Sequence, residues 1–200
     1  MPATRSKLPK KPVRLDCGKY LVRTVTIADA TDRWASWMSD PEAGHMLNAP
    51  VRSMKLSDIV AYIKSFDQRS HLLLGIFEKA SGKCLGFLRI DIDRALGRFL
   101  VSMLIGEPEY RNRGIAGSIT VPFREYFFET LGLNTMLATA LSHNRPIIHY
   151  LLNSGWTLDK TLERHVKSHR DETMLDLCFF SLTRDAWRAW KKANVAAKPE

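Results

Sequence analysis

Between Tyr110 and Gly117 the chain reads Tyr-Arg-Asn-Arg-Gly-Ile-Ala-Gly, directly after the apolar run Phe99 to Ile105 and ahead of a stretch with helical spacing. A strand that gives way to a glycine-containing turn and then to a helix leaves the first N–H groups of that helix without intrahelical partners, at the end where the helix dipole is positive. Phosphate oxygens suit such a turn. Gly114 and Gly117 allow close approach of a ligand or a positive φ, and Arg111 and Arg113 add positive charge at the rim. The chemistry indicated is the grip of a diphosphate. Two common phosphate loops do not fit, because the chain has no Gly-x-Gly-x-x-Gly and no Gly-Lys-Ser/Thr follows the turn.

The run Arg111-Asn112-Arg113-Gly114-Ile115-Ala116 matches the pattern Arg-x-x-Gly-x-Ala. Asn144 comes later, after the strand pattern Met136 to Leu141, and Gly155-Trp156 closes a helical stretch that begins near Pro146. Taken in order, these features resemble the coenzyme A pyrophosphate loop and the Asn…Gly-Phe block of the GNAT acyltransferase superfamily, with Trp156 where Phe is usual. Leu175 to Trp187 resembles the closing strand of the branch that acetylates ribosomal-protein N-termini, the Rim type. The resemblance runs from roughly Tyr20 to Trp187. It implies an acetyl-CoA-dependent N-acetyltransferase in which a primary amine attacks the thioester directly. The acceptor would be a protein N-terminal α-amine, such as that of a ribosomal protein or peptide, or a small-molecule amine or amino sugar. Met103, Leu104 and Ile105 would offer backbone groups to pantetheine, and Arg111, Asn112, Arg113, Gly114, Ile115, Ala116 and Gly117 would hold the diphosphate. Asn144 would bond the pantetheine amide. The plainer alternatives are a turn glycine at 114 and a helix cap at 144.

Such a transfer wants one group to accept a proton from the incoming ammonium and another to protonate the leaving thiolate. The family's tyrosine, seven residues after the asparagine, is here Leu151, and Tyr150 precedes it by one step, about 100° around the helix. The Rim branch often has serine three residues after the asparagine, where this chain has Ile147. Tyr150 is therefore the candidate acid, displaced by one position. His143 is the candidate base because its ordinary pKa lies near neutrality. Glu107, Glu109, Asp91 and Asp93 are alternatives at turn positions, where carboxylates are commonly just solvated. An α-amine titrates near 7.7–8.0 and lysine near 10.4, so the lack of a strong base favours an α-amine or amino sugar with water relaying the proton. His45 and Asn48 fall in the Pro41 to Met54 stretch, read as an irregular loop that the resemblance places over the acceptor.

Alternating and β-branched patterns predict strands at Tyr20–Ile27, His71–Glu78, Cys84–Ile92, Phe99–Ile105, Asn134–Leu141, Thr157–Val166 and Glu172–Leu182. Helical spacing follows Asp29 or Thr31 up to Asp40-Pro41 and recurs over Ser57–Gln68, Ser118–Leu131, Pro146–Asn153 and Asp185–Val195. Pro122 is expected within the first turns of its helix, where a missing N–H is tolerated. The fold class is α/β (α+β). The resemblance makes it a GNAT-like mixed, mostly antiparallel twisted sheet of about seven strands, splayed at the centre, with helices on both faces. Residues 1–14 read as a disordered basic leader, 15–184 as the catalytic domain and 185–200 as a C-terminal helix and tail. Trp187 and Trp190 would pack on the core or make a homodimer contact.

The composition of the 200 residues is that of an ordinary globular chain, and one domain accounts for the length. Cys17, Cys84 and Cys178 have no disulfide or zinc spacing, which suits a reducing cytoplasm. No apolar run reaches the roughly 20 residues of a membrane span. The net charge of +9 gathers partly at the two ends and attracts polyanions in general. Two rivals remain. An acyl-CoA-binding module without turnover would account for the displaced acid. A basic RNA- or ribosome-binding protein would use the tails, although the chain lacks the spaced aromatics and glycines of an RNA-recognition sheet.

Overall fold

In the computed structural model, which describes residues 11–194, one sheet of eight strands organises the chain. The strands are β1 (Arg14–Cys17), β2 (Tyr20–Thr24), β3 (His71–Glu78), β4 (Cys84–Asp93), β5 (Arg98–Ile105), β6 (Thr135–Leu141), β7 (Thr157–Lys167) and β8 (Met174–Thr183). The helices are α1 (Asp32–Met38), α2 (Pro41–Leu47), α3 (Leu56–Lys64), α4 (Ile115–Glu125), α5 (Arg145–Asn153) and α6 (Arg184–Asn194). The spatial order is β1-β2-β3-β4-β5-β6-β8-β7, and every neighbouring pair is antiparallel except β5 with β6.

The period of two along a strand sends alternate side chains to opposite faces, and both faces here are buried. Leu72, Leu74 and Ile76 of β3 join Ile115, Ile119, Phe123 and Phe127 in one core. Leu73, between them in sequence, joins Trp34, Trp37, Ile59 and Ile63 in a second core beneath α1 and α3. Helices therefore cover both faces, as the resemblance implies.

The parallel pair positions the site. β5 and β6 are in register only over Arg98↔Thr135, Phe99↔Met136 and Leu100↔Leu137. Beyond those residues β5 continues along β4 to Ile105, and β6 continues along β8 to Leu141. The sheet thus splits into two halves that share a hinge at Phe99 and Met136, and the backbone edges flanking the split have no strand partner on that side.

Several expectations change. The sheet has eight strands rather than about seven, because Arg14–Cys17 hairpins onto Tyr20–Thr24 with Cys17 opposite Tyr20. Arg14, expected to end the leader, instead opens β1; residues 1–10 of that leader and 195–200 of the tail lie outside the described residues. Pro41 to Met54 is not wholly irregular. Asp40 caps α2 through its carboxylate to the N–H groups of Glu42 and Ala43, Pro41 fills the first helical position, and Asn48 ends the helix at φ 48°. The helix expected from Ser118 begins three residues earlier, so Pro122 lies in its interior and the Ser118 carbonyl cannot receive the usual bond. Past Glu125 the helix widens into a π turn over Tyr126–Thr130, closed by Leu131 N–H to Tyr126 O at 2.9 Å. Trp187 is buried in the core and Trp190 packs beside it, so both tryptophans have intramolecular packing.

Candidate functional site

The turn after β5 leaves a run of backbone amides without acceptors. A short 3-10 turn, Pro108–Tyr110, closes with Arg111 N–H on the Pro108 carbonyl at 3.1 Å. Asn112 and Gly114 then take left-handed backbone angles, φ 57° and 72°. Gly114 is the N-cap of α4, and Ser118 is the first residue whose N–H finds a backbone acceptor, the Gly114 carbonyl at 3.0 Å. Among the described residues no acceptor takes the N–H groups of Asn112, Arg113, Gly114, Ile115, Ala116 or Gly117. A Cβ placed on Gly114 or Gly117 would meet nothing within 4 Å, so open space lies in front of this nest.

The two arginines of the turn divide. Arg111 gives Nε to the Ile105 carbonyl at 3.1 Å, and its terminal nitrogens reach Glu42 at 2.9 Å, the Gly106 carbonyl at 3.2 Å, and Asp40. Its charge is spent on two carboxylates, so it ties the end of β5 to the start of α2 rather than standing free at the rim. Burial opposes ionisation of Asp40, but the Arg111 guanidinium and the amides of Glu42 and Ala43 outweigh it and hold the carboxyl below its usual range. Arg113 is exposed and has no ion pair among the described residues. It is the free rim charge.

A cavity of about 370 Å³ lies in the split between β5 and β6 and meets the nest at Ala116. Val101, Ser102 and Met103 form one wall, Ala138, Thr139 and Ala140 the other. α4 contributes Ala116, Thr120 and Arg124, α5 contributes Ile147, Tyr150 and Leu151, and Met46, Leu47 and Asn48 at the end of α2 lie across it. Of the three β5 residues expected to serve a ligand arm, only Met103 lines the cavity. Leu104 turns its side chain to the opposite core, and the Ile105 carbonyl is occupied by Arg111.

Asn144 lines the cavity and gives Nδ2 to the Met46 carbonyl at 3.0 Å. It occupies the N-cap position of α5, yet its side chain makes no capping bond. Tyr150 also reaches the cavity, despite the displacement by one residue. Its hydroxyl lies 2.5 Å from Thr120 Oγ1 and 3.4 Å from the Ala116 carbonyl, beside the first turn of α4. His143 sits at the end of β6 with its ring stacked on His45, centroids 4.3 Å apart and planes 12° from parallel. Its Nε2 is 3.2 Å from the His45 carbonyl. A carbonyl only accepts, so Nε2 carries the hydrogen and Nδ1 keeps the lone pair.

The carboxylates offered as alternative bases are engaged elsewhere. Glu107, expected to be solvated, is buried and receives Arg33 at 2.7 and 2.5 Å, Trp37 Nε1 at 3.1 Å and Lys83 at 2.8 Å. Arg33 is the main cause that draws its pKa down to about 2, with Lys83 and Trp37 assisting against burial. Glu109 pairs with Lys83, Asp91 with His71 and Arg89, and Asp93 with Arg98. His45 lies within α2 rather than in a loop, and Asn48 is the C-cap of that helix. Asn48 gives Nδ2 to the Lys167 carbonyl at 2.9 Å and takes the His169 N–H at 3.0 Å, which fastens the end of α2 to the tip of the β7–β8 hairpin.

Thr120, Arg124, Met46 and Leu47 are site residues that motif reading missed. Ala116, Thr120 and Arg124 stand four apart on one face of α4, so helical spacing from the nest was the available signal. Arg124 is 1% exposed, donates to Ser154 O at 2.7 Å and Oγ at 3.1 Å, and lies against Trp156, Trp187 and Trp190 with no carboxylate partner among the described residues. Burial pulls its pKa below the ordinary value. Amide donors at one end and a narrow, mostly apolar cleft with strand-edge and Asn144 groups along it fit a diphosphate that carries an extended arm. Coenzyme A has that form.

Comparison with known proteins agrees with the geometry. No curated protein matches the chain. Among solved structures, a GCN5-related N-acetyltransferase from Brucella melitensis superposes with TM-score 0.77 at 19% identity, over 96% of this chain and 88% of that one. A spermidine N-acetyltransferase from Vibrio cholerae, solved with CoA and spermine, gives 0.75 at 12% identity, covering 85% and 98%. A ribosomal-protein-S5-alanine acetyltransferase from Vibrio fischeri gives 0.67 at 16% identity, covering 88% and 98%. These likenesses establish the fold. Residues 19–157 match the family model described as an acetyltransferase (GNAT) domain, and the chain belongs to that family of acetyltransferases.

Proposed function

We propose that the chain moves an acetyl group from acetyl-CoA to a primary amine, as the Rim-type resemblance suggests, with an α-amine of a protein or peptide or a small-molecule amine or amino sugar as acceptor. The observation that carries this reading is the run of unpartnered amides at Asn112–Gly117, which the cleft between β5 and β6 meets at Ala116. Bound there, acetyl-CoA would supply an activated acyl group as its thioester. Asn112 to Gly117 hold the diphosphate with fixed N–H donors, which need no reorganisation on binding. Arg111 shapes the turn and Arg113 adds charge at its rim. Met103 and the free edge of β5, with Asn144 opposite, align the arm so that the acyl carbon lies near Tyr150.

In the transfer the amine nitrogen bonds to the acyl carbon while the carbon–sulfur bond breaks. Tyr150 donates its hydroxyl proton to the departing sulfur by turning it away from Thr120, whose own hydroxyl hydrogen goes to the Ala116 carbonyl at 2.6 Å. His143 takes the amine's surplus proton on Nδ1, directly or through water. The three cysteines are free, in keeping with a cytoplasmic setting, and no helix among the described residues is long and apolar enough to cross a membrane. Incubation with isotope-labelled acetyl-CoA and panels of peptide, polyamine and amino-sugar acceptors, followed by mass spectrometry, tests the reading. Labelled amide product supports it. Tight acetyl-CoA binding with no product from any panel would instead indicate a binding module.

A further inference from the structure

Behind Tyr150 stands a buried positive charge with no part yet in the transfer. Thr120 and Arg124 lie one turn apart on α4, and Tyr150 and Ser154 lie one turn apart at the end of α5. The two helices meet through these four residues. The Tyr150 hydroxyl rests 2.5 Å from Thr120 Oγ1, and Arg124 donates to the Ser154 carbonyl at 2.7 Å and to its Oγ at 3.1 Å. Long side chains on a helix lean toward its N-terminus over the preceding turn, so Arg124 reaches back toward the turn of Thr120, where Tyr150 rests. Arg124 and Tyr150 both line the cleft between β5 and β6.

The charge on Arg124 is uncompensated. Arginine stays protonated in proteins, and Arg124 has no ion pair among the described residues. The two carboxylates that follow it on the chain are engaged elsewhere, Glu125 with Lys191 and Glu129 with Arg188. Trp156, Trp187 and Trp190 surround the guanidinium, their ring centroids 5.8, 5.4 and 5.5 Å from its carbon, and hold it in place without neutralising it. Burial pulls its pKa below the ordinary value, and Tyr150 alone acts in the opposite direction. Thr120 gives its own hydrogen to the Ala116 carbonyl, so it offers none to the Tyr150 oxygen.

We propose that Arg124 is a positioning residue for the transfer, whose fixed charge stabilises the Tyr150 phenolate that forms as the proton leaves for the sulfur. The inference rests on the acetyltransferase reading and on Tyr150 as its acid. The O–H bond breaks with its electron pair left on oxygen, the S–H bond forms, and water returns a proton once the products leave. A cation already held near an oxygen that becomes negative favours the charged form without reorganisation.

The test measures turnover of isotope-labelled acetyl-CoA with whichever amine of the panels above wild type acetylates fastest, and coenzyme A affinity by calorimetry. Arg124→Gln removes the charge and keeps a donor for Ser154. Its kcat should fall by about tenfold to a hundredfold while coenzyme A affinity stays within about twofold of wild type. In a Tyr150→Phe background, where no phenolate forms, the same substitution should change kcat by less than about twofold. Arg124→Lys, which retains a charge, should recover most of the loss. An equal loss in both backgrounds, coenzyme A affinity lost in proportion to kcat, an unaltered kcat in Arg124→Gln, or Arg124→Lys no better than Arg124→Gln would overturn the proposal. Far-ultraviolet circular dichroism checks folding; should glutamine prevent it, Arg124→Met, neutral and able to pack between the tryptophans, takes its place in the same cycle with the same expected results. A wild type that acetylates no amine removes the transferase reading and this inference with it, whereas an overturning result beside an active wild type removes this inference alone.

Discussion

Gly114 carries a φ of 72° at the point where the turn becomes α4, with open space in front of it. Replacement by valine would force a β-branched residue into the left-handed region, at a cost of about 1–2 kcal/mol, and would put side chain where phosphate oxygens should lie. Gly114→Val is expected to fold with a lowered melting temperature and to lose coenzyme A affinity by at least tenfold in calorimetry; unchanged affinity would refute the nest assignment. Tyr150→Phe removes only the hydroxyl that rests on Thr120. Its kcat should fall by about 10²–10⁴ while coenzyme A affinity changes little, as for loss of a general acid. Glu107 does structural work. Its carboxyl is held at about 2 against an ordinary 4.5, so its stabilisation is complete above pH 4.5 and disappears as pH falls through about 2. Glu107→Gln should cost about 2 kcal/mol at neutral pH, kept modest because Arg33 and Lys83 remain partly exposed. In urea titrations the gap between wild type and variant should close between pH 4.5 and 2; a gap constant with pH would contradict the assigned ionisation.

At the scale of elements, the two hydrogen bonds of Asn48 join the end of α2 to the hairpin tip, and on the proposed function that join would border the acceptor. Asn48→Ala should loosen that join and raise the acceptor KM several-fold without a matching change in coenzyme A affinity. Equal changes in both would mean that the join supports the whole cleft. The strands and most helices were legible in the sequence because alternation and apolar spacing extend over many residues there. β1 was not, since its apolar–polar alternation at Arg14–Cys17 spans only four residues behind a basic, proline-punctuated leader and is too short to stand out. α2 was read as loop because Asp40-Pro41 served equally as the stop of α1 and the start of a new helix. The nest was legible from local order along the chain. The engagement of Arg111 with Asp40 and Glu42 was not, because ion pairs across about 70 residues leave no local pattern. The same holds for the burial of Glu107 and the reach of Tyr150 to Thr120.

For the molecule as a whole, the split in the sheet opens the cleft that the proposed function uses. The β4–β5 half and the β6–β8 half are each internally paired, and the three-residue parallel contact holds them together at one end. Packing of α4 against the β1–β4 core and of α5 and α6 around Arg124 fixes the width of the opening. The net charge of +9 should speed the arrival of an anionic ligand, so the association rate of coenzyme A should fall as ionic strength rises. The most direct test of the central claim is amide hydrogen exchange with and without coenzyme A. Added protection should concentrate at Asn112–Gly117 and at the alternate amides of β5 between Val101 and Ile105 that point away from β4 into the cleft. Coenzyme A binding that leaves those amides exchanging at their free rate, with protection elsewhere in the sheet, would contradict the account.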